Sequence, residues 1–231
     1  IVWAKAAFEN HNTVFVTFMD KNIQYMNRAY ELALKGWGRA SPNPMVGAVV
    51  VKSGIVIAQG WHPFCGGPHA EAMALATAGV KAKGADLYVT LEPCLHQGRT
   101  PPCVHAIINA GIKRVFIGMP DPNPRMQGRS VKLLRNAGIK VEIGFLQKEL
   151  MHLNEAFNKY ITKQMPFVAA KIAQTIDGRV AARKNDARWI TSPEARDYSH
   201  EMRFGFDAIM VGIDTVLKDD PALNSAPRKR I

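Results

Sequence analysis

Between Met45 and Ile143 the sequence alternates short apolar runs with helical stretches, and this alternation restricts the fold more tightly than any other property of the chain. The run from Met45 to Val51 reads as a buried strand. Lys52-Ser53-Gly54 supplies hairpin-turn chemistry, and Ile55 to Gly60 reads as a second strand. Pro68 precedes a helix from His69 to about Ala78. Leu87 to Leu91 forms a strand, and Pro101-Pro102 open a helix reaching Ala110, because proline suits a first helical turn. Val115–Gly118 and Val141–Ile143 are strands flanking a helix from Val131 to Ala137. Upstream, Met26, Ala29, Tyr30, Leu32, Ala33 and Leu34 share one helical face, ended by Gly36 and Gly38. The order α-β-β-α-β-α-β-α-β predicts a mainly parallel central sheet with helices on both faces and one antiparallel pair from the hairpin. A further helix, roughly Gln147 to Lys163, leads away. Pro166 then starts a new strand, Phe167 to Ile172, the beginning of a second α/β unit. The predicted organisation is an unassigned extension (1–25), a first domain (26–147), a connecting helix or linker (148–165) and a partial second domain (166–231).

Composition narrows the class. The chain has 231 residues, 47% of them hydrophobic and 21% charged, as in a soluble globular protein. No apolar run approaches the roughly 20 residues that cross a bilayer, and Val14–Met19, flanked by Glu9 and Asp20, is too short for a secretory signal. A cytoplasmic setting is expected. The net charge of +11 favours phosphate-bearing partners, on a metabolite or on nucleic acid, and is equally compatible with simple solubility. Three cysteines, Cys65, Cys94 and Cys103, are too few for a disulfide scaffold, and an odd number argues against one.

Cys94 and Cys103 join His69 and Glu71 in the one constellation that carries chemistry. His69 stands at a helix start, Cys94 follows a strand, and Cys103 opens the next helix. Thiolate and imidazole ligands suit zinc, and three protein ligands leave a fourth position for water, the catalytic arrangement. Zinc lowers the pKa of bound water to about 7. Glu71, two residues from His69, sits close enough to move protons without ligating. His-x-Glu … Pro-Cys … Cys is the layout of zinc deaminases acting on nucleobase amines. Taken singly, a histidine at a helix start is a cap and a cysteine in an α/β protein is a core thiol; the combination in this element order outweighs both. A structural zinc site would be closed by four protein ligands, and Cys65 is the one candidate, within a Gly-Gly-Pro loop.

Eight residues separate Cys94 from Cys103, where most cytidine and transfer-RNA adenosine deaminases have two. The stretch Glu92-Pro93-Cys94-Leu95-His96-Gln97-Gly98-Arg99-Thr100-Pro101-Pro102-Cys103 resembles the pyrimidine deaminase of riboflavin biosynthesis. So do Pro42-Asn43-Pro44-Met45-Val46-Gly47 and Asp121-Pro122-Asn123-Pro124. The resemblance runs from about Met26 to Leu223. It implies a cytidine-deaminase-like three-layer α/β/α domain with a central mixed sheet, followed by the start of a dihydrofolate-reductase-like α/β domain. It implies zinc-dependent hydrolytic deamination of 2,5-diamino-6-(5-phosphoribosylamino)pyrimidin-4(3H)-one, then NADPH-dependent reduction of the ribosyl group.

The resemblance assigns His69, Cys94 and Cys103 to the metal and Glu71 to proton transfer. Asn43 would hold the pyrimidine, His62 and His96 would line the pocket, and Arg99 would meet the phosphate, for which a guanidinium offers paired hydrogen bonds. Lys171-Ile172-Ala173, Asp177-Gly178-Arg179, Trp189-Ile190-Thr191-Ser192 and Leu217–Asn224 resemble the reductase. Lys171 and Asp219 would belong to its active site, Ala173, Trp189, Thr215 and Asp219 would border NADPH, and Ala187, Arg203 and Leu223 its substrate. The family has a small hydroxyl residue where Ala187 stands, so one substrate hydrogen bond is expected to be missing. NADPH needs a cleft at the carboxyl ends of strands; a chain ending at Ile231 is expected to hold a truncated reductase with exposed strand edges. Residues 1–25 match nothing in the family. A small phosphorylated pyrimidine is the expected partner, with self-association and with neither nucleic acid nor membrane. The alternatives are a deaminase of nucleic-acid bases, which salt-sensitive RNA or DNA binding would reveal, and a zinc-binding remnant without turnover.

Overall fold

The computed structural model describes residues 20–95, 101–126, 128–181 and 189–225. A helix α1 (Lys21–Leu34) precedes the hairpin β1 (Gly47–Lys52) and β2 (Ile55–Trp61). There follow α2 (Ala70–Ala78) with a 3-10 turn (Gly79–Ala82), β3 (Asp86–Leu91), α3 (Cys103–Asn109), β4 (Arg114–Met119), α4 (Arg129–Asn136) and β5 (Lys140–Ile143). The strands form one five-stranded sheet in the order β2-β1-β3-β4-β5.

The sheet is more mixed than the element order predicts. β3–β4 and β4–β5 are parallel, but β1 runs antiparallel to β3 as well as to β2. The hairpin is the cause. It reverses the chain, so β2–α2–β3 is the parallel crossover, and β1 lies between its two strands. Side-chain parity sorts the helices. Gly47 pairs with Trp61 and Ala48 with Gly60, so Gly47 and Gly60 face opposite sides of the sheet. A side chain on Gly47 would overlap the Ala29 carbonyl of α1, and one on Gly60 would overlap the Ala70 carbonyl of α2. These two close approaches set α1 on one face and α2 on the other, giving three layers.

The α1 face holds Met26, Ala29, Leu32 and Ala33, all buried, against Val49, Tyr88 and Phe116. Tyr88 and Phe116 stack at 4.4 Å, an arrangement worth about 0.5–1.5 kcal/mol beyond burial. On the other face Ala70, Ala74 and Ala78 form a buried stripe at four-residue spacing. Their small side chains let α2 lie close to the sheet, which fixes the height of its first turn.

Three boundaries differ from the sequence reading. α1 begins at Lys21 rather than Met26, because Asp20 accepts the Asn22 N–H at 2.9 Å and caps the helix. The expected single helix from Gln147 to Lys163 is two, α5 (Gln147–Leu153) and α6 (Glu155–Lys163), broken at Asn154. It does not lead away. Leu150 is fully buried against Gly118, and the Asn154 side chain pairs with both backbone groups of Met45, at 2.8 and 3.0 Å. The third difference is the stretch 167–172, which forms no strand, and Ile172 is 67% exposed. A strand is stable only with a partner to satisfy its backbone. Beyond it stand α7 (Pro193–Arg203), capped by Ser192, and α8 (Ile213–Asp219).

Candidate metal centre

His69 occupies the N-cap position of α2, yet its side chain makes no capping bond. The imidazole instead turns toward the two cysteines. Its Nδ1 lies 3.2 Å from Cys103 Sγ and 3.4 Å from Cys94 Sγ, and the three donor atoms lie within 4.8 Å of one another. A tetrahedral zinc with its usual bond lengths would hold nitrogen and sulfur about 3.6 Å apart. The donor set fits that ion in both chemistry and spacing. Cys94 sits in the loop after β3, where the Cys103 backbone N–H donates to its sulfur at 3.3 Å. The Cys94 thiol is drawn down to about 4, first by the Cys103 thiol donating to it and also by His69. Cys103 is pushed up by its hydrogen bond to the adjacent Cys94 and by burial. Cys65, the candidate fourth ligand, is a free thiol outside the group.

Glu71, in the first turn of α2, is 4% exposed. Burial raises its carboxyl to about 7, with the Cys94 thiolate adding to the shift. A carboxyl at that value both accepts and returns a proton near neutrality. It lines a cavity of about 250 Å³ together with His69, Cys94, Asn43 and His62. His62 is 3% exposed, and its Nδ1–H donates to the Pro68 carbonyl at 2.9 Å. That leaves Nε2 to accept from Asn43 Nδ2 at 3.0 Å. Burial lowers the pKa of His62, which favours the neutral ring this arrangement needs.

The cavity is also lined by residues for which the sequence reading named no role. Asp121 and Asn123 come from the loop after β4. Glu92, buried at 3% exposure, accepts from Ser130 Oγ and from the Asp121 N–H, and so fixes that loop. The motif Asp121-Pro122-Asn123-Pro124 was the available signal. Phe157 and Ile161 of α6 complete the wall; nothing in the sequence marked them, since their helix read as a connector. A second cavity, about 390 Å³ between Met119–Pro122 and α5–α6, contains none of the metal donors. His96 and Arg99 lie outside the described residues, as does Ala187.

Most of the residues expected to serve the reductase are exposed to solvent. Lys171, Trp189, Thr215, Asp219 and Leu223 are exposed, and Ala173 is half-buried. Arg196 stacks on the Trp189 ring at 4.1 Å. Arg203 and Leu223 do come together: the guanidinium donates to the carbonyls of Ala222 and Asn224, at 2.9 and 3.0 Å. Among the described residues no helix is long and apolar enough to cross a membrane.

Comparison with known proteins agrees with this layout. Residues 19–119 match the cytidine and deoxycytidylate deaminase zinc-binding region, and residues 166–230 match the RibD C-terminal domain. The riboflavin biosynthesis protein RibD of Aquifex aeolicus is 54% identical over 205 residues, 89% of this chain and 57% of that protein. The structure of Acinetobacter baumannii RibD superposes with a TM-score of 0.86 at 44% identity, over 91% of this chain and 59% of that one. A Thermotoga maritima structure, described as a diaminohydroxyphosphoribosylaminopyrimidine deaminase/5-amino-6-(5-phosphoribosylamino)uracil reductase, gives 0.82 at 52% identity, over 87% and 58%. The chain therefore spans a little over half the length of the relatives it matches. With a cytidine-deaminase-like sheet, a zinc-binding deaminase region and a RibD C-terminal segment in one sequence, the chain belongs to the RibD family of riboflavin biosynthesis proteins.

Proposed function

We propose that this chain hydrolytically deaminates 2,5-diamino-6-(5-phosphoribosylamino)pyrimidin-4(3H)-one. The observation that carries the reading is the buried carboxyl of Glu71 beside three converging metal donors at one cavity. His69, Cys94 and Cys103 would hold zinc, which when bound supplies Lewis-acid activation of water. Glu71 takes a proton from the attacking water at a carboxylate oxygen. It returns that proton to the ring nitrogen and assists the amine in leaving as ammonia, so water and the exocyclic amine become a carbonyl and ammonia. Asn43 and His62 orient the ring, with the Pro68 carbonyl fixing the imidazole. Asp121 and Asn123 offer polar groups from the opposite loop, and Phe157 and Ile161 exclude water. The cavity suits the heterocycle, and His96 and Arg99 are assigned to the pocket and the phosphate as the resemblance implies.

The deaminating unit extends through α6, because Leu150, Asn154 and the cavity wall belong to it. Residues 166–231 are assigned to the reductase, with Lys171 and Asp219 as its active-site residues. Ala173, Trp189, Thr215 and Asp219 would border NADPH, and Ala187, Arg203 and Leu223 would border substrate. A cytoplasmic setting and a self-associating enzyme go with this reading. The test is ammonia release from the pyrimidine by zinc-loaded protein, before and after chelation and after zinc is returned. Turnover that disappears and returns with the metal is expected; turnover indifferent to chelation would overturn the proposal.

A further inference from the structure

The turn that follows α1 carries Asn43 into the cavity, and residues from the RibD C-terminal segment grip that turn. Gly38 has φ +67, and a side chain there would run into the Phe204 ring. Reciprocally, a side chain on Gly205 would run into the Trp37 ring. Each glycine thus presents bare backbone to an aromatic ring beside the other glycine. Ser41 Oγ donates to Asp207 Oδ2 at 3.0 Å, two residues before Asn43. The Asn43 N–H in turn donates to the Ala40 carbonyl at 2.8 Å, and its side chain reaches His62 at 3.0 Å. α7 and α8 contribute no buried residue of their own. The contact at the end of α7 is therefore not the margin of a shared core; it is a discrete interlock on the turn 37–41.

We infer that Phe204, Gly205 and Asp207 are positioning residues for the deaminase site, holding the turn that places Asn43 against His62. The segment assigned to the reductase then sets how well the first site recognises its pyrimidine. This rests on the reading of Asn43 as a ring-orienting residue. The coupling works through hydrogen-bond geometry: a turn released from the interlock lets Asn43 sample other positions, and a hydrogen bond to the ring is weakened without any change at the metal donors.

The experiment uses the zinc-loaded chain with Gly205→Ala, which drives a methyl into Trp37, and with the milder Asp207→Ala. KM for the pyrimidine is expected to rise about three- to tenfold, the worth of one hydrogen bond, with kcat and zinc content unchanged. In an Asn43→Ala background the same changes should add nothing, because the interaction they support is already gone. An unchanged KM in both variants, or effects that add fully to Asn43→Ala, would overturn the inference. The ¹⁵N shift of His62 Nε2, read without substrate, is an independent test. It should move in both variants, and an unmoved shift contradicts the interlock. If the unsubstituted protein releases no ammonia, the deaminase reading fails, and the His62 signal still decides whether the interlock positions Asn43.

Discussion

Asn154→Ala removes a side chain that fastens α5 and α6 to the sheet unit by paired hydrogen bonds. Asn154 is 3% exposed, accepts from the Met45 N–H at 2.8 Å and donates to the Met45 carbonyl at 3.0 Å. Each bond contributes about 1 kcal/mol net, and each backbone group left unpaired costs up to a further 1–3 kcal/mol where water cannot reach it. Water can enter part of the space vacated by the amide. The expected loss is therefore about 2–4 kcal/mol, read as a lower urea midpoint with an unchanged slope. Asn154→Asp separates the two bonds: the carboxylate still accepts from the N–H but faces the Met45 carbonyl without a donor, so it should not recover the loss. Because Met45 follows Asn43-Pro44 and Phe157 lies one turn beyond Asn154, ammonia release at low substrate should fall along with stability. A variant within about 0.5 kcal/mol of the parent would refute the claim that this segment is part of the deaminating unit rather than a connector.

Other perturbations test other links. Cys94→Ala should leave less than stoichiometric zinc by metal analysis and no turnover; full metal occupancy would reject the ligand assignment. Gly60→Ala should destabilise the fold by about 1–3 kcal/mol in denaturant, and should weaken zinc affinity, because the added methyl meets the Ala70 carbonyl and pushes the first turn of α2 outward. Glu71 gives a pH signature in the metal-free protein. Its carboxyl is raised from 4.5 to about 7, so between those values the native state holds a proton that the unfolded state has released. The Glu71 contribution to stability then falls as pH rises through that interval, by up to about 3 kcal/mol, against the opposite slope of the Cys94 thiol, which is drawn down to about 4; the difference between the profiles of parent and Glu71→Gln should therefore fall with pH over that interval. Parallel pH profiles for parent and variant would contradict the burial of an ionisable carboxyl.

The first domain was legible because its strands are short apolar runs and its helices start with strong local signals. His69, Glu71, Cys94 and Cys103 were legible as a candidate zinc site through the His-x-Glu … Pro-Cys … Cys layout, and the structure brings the donor atoms of His69, Cys94 and Cys103 together. The antiparallel β1–β3 pairing was hidden, because strand neighbours follow from which side a crossover passes, and no residue type reports that. Phe157 and Ile161 were hidden for a related reason: a helix after the last strand reads as a connector until tertiary contacts are seen. Asn154 carried no sequence mark, since a buried asparagine differs from a surface one only in what it pairs with. The run 167–172 shows the opposite failure, a strand-like sequence whose pairing depends on partners outside its own local pattern.

Proton transfer by Glu71 at a zinc site made by His69, Cys94 and Cys103 is the step on which the proposed activity depends. It is tested most directly by single-turnover ammonia release from the diaminopyrimidine phosphate, comparing the zinc-loaded parent with Glu71→Gln at matched metal content. Full zinc binding is expected in both, with a rate about 100- to 10,000-fold lower in the variant, the usual contribution of a positioned acid–base group. A variant that keeps its zinc and turns over at the parental rate would contradict that role.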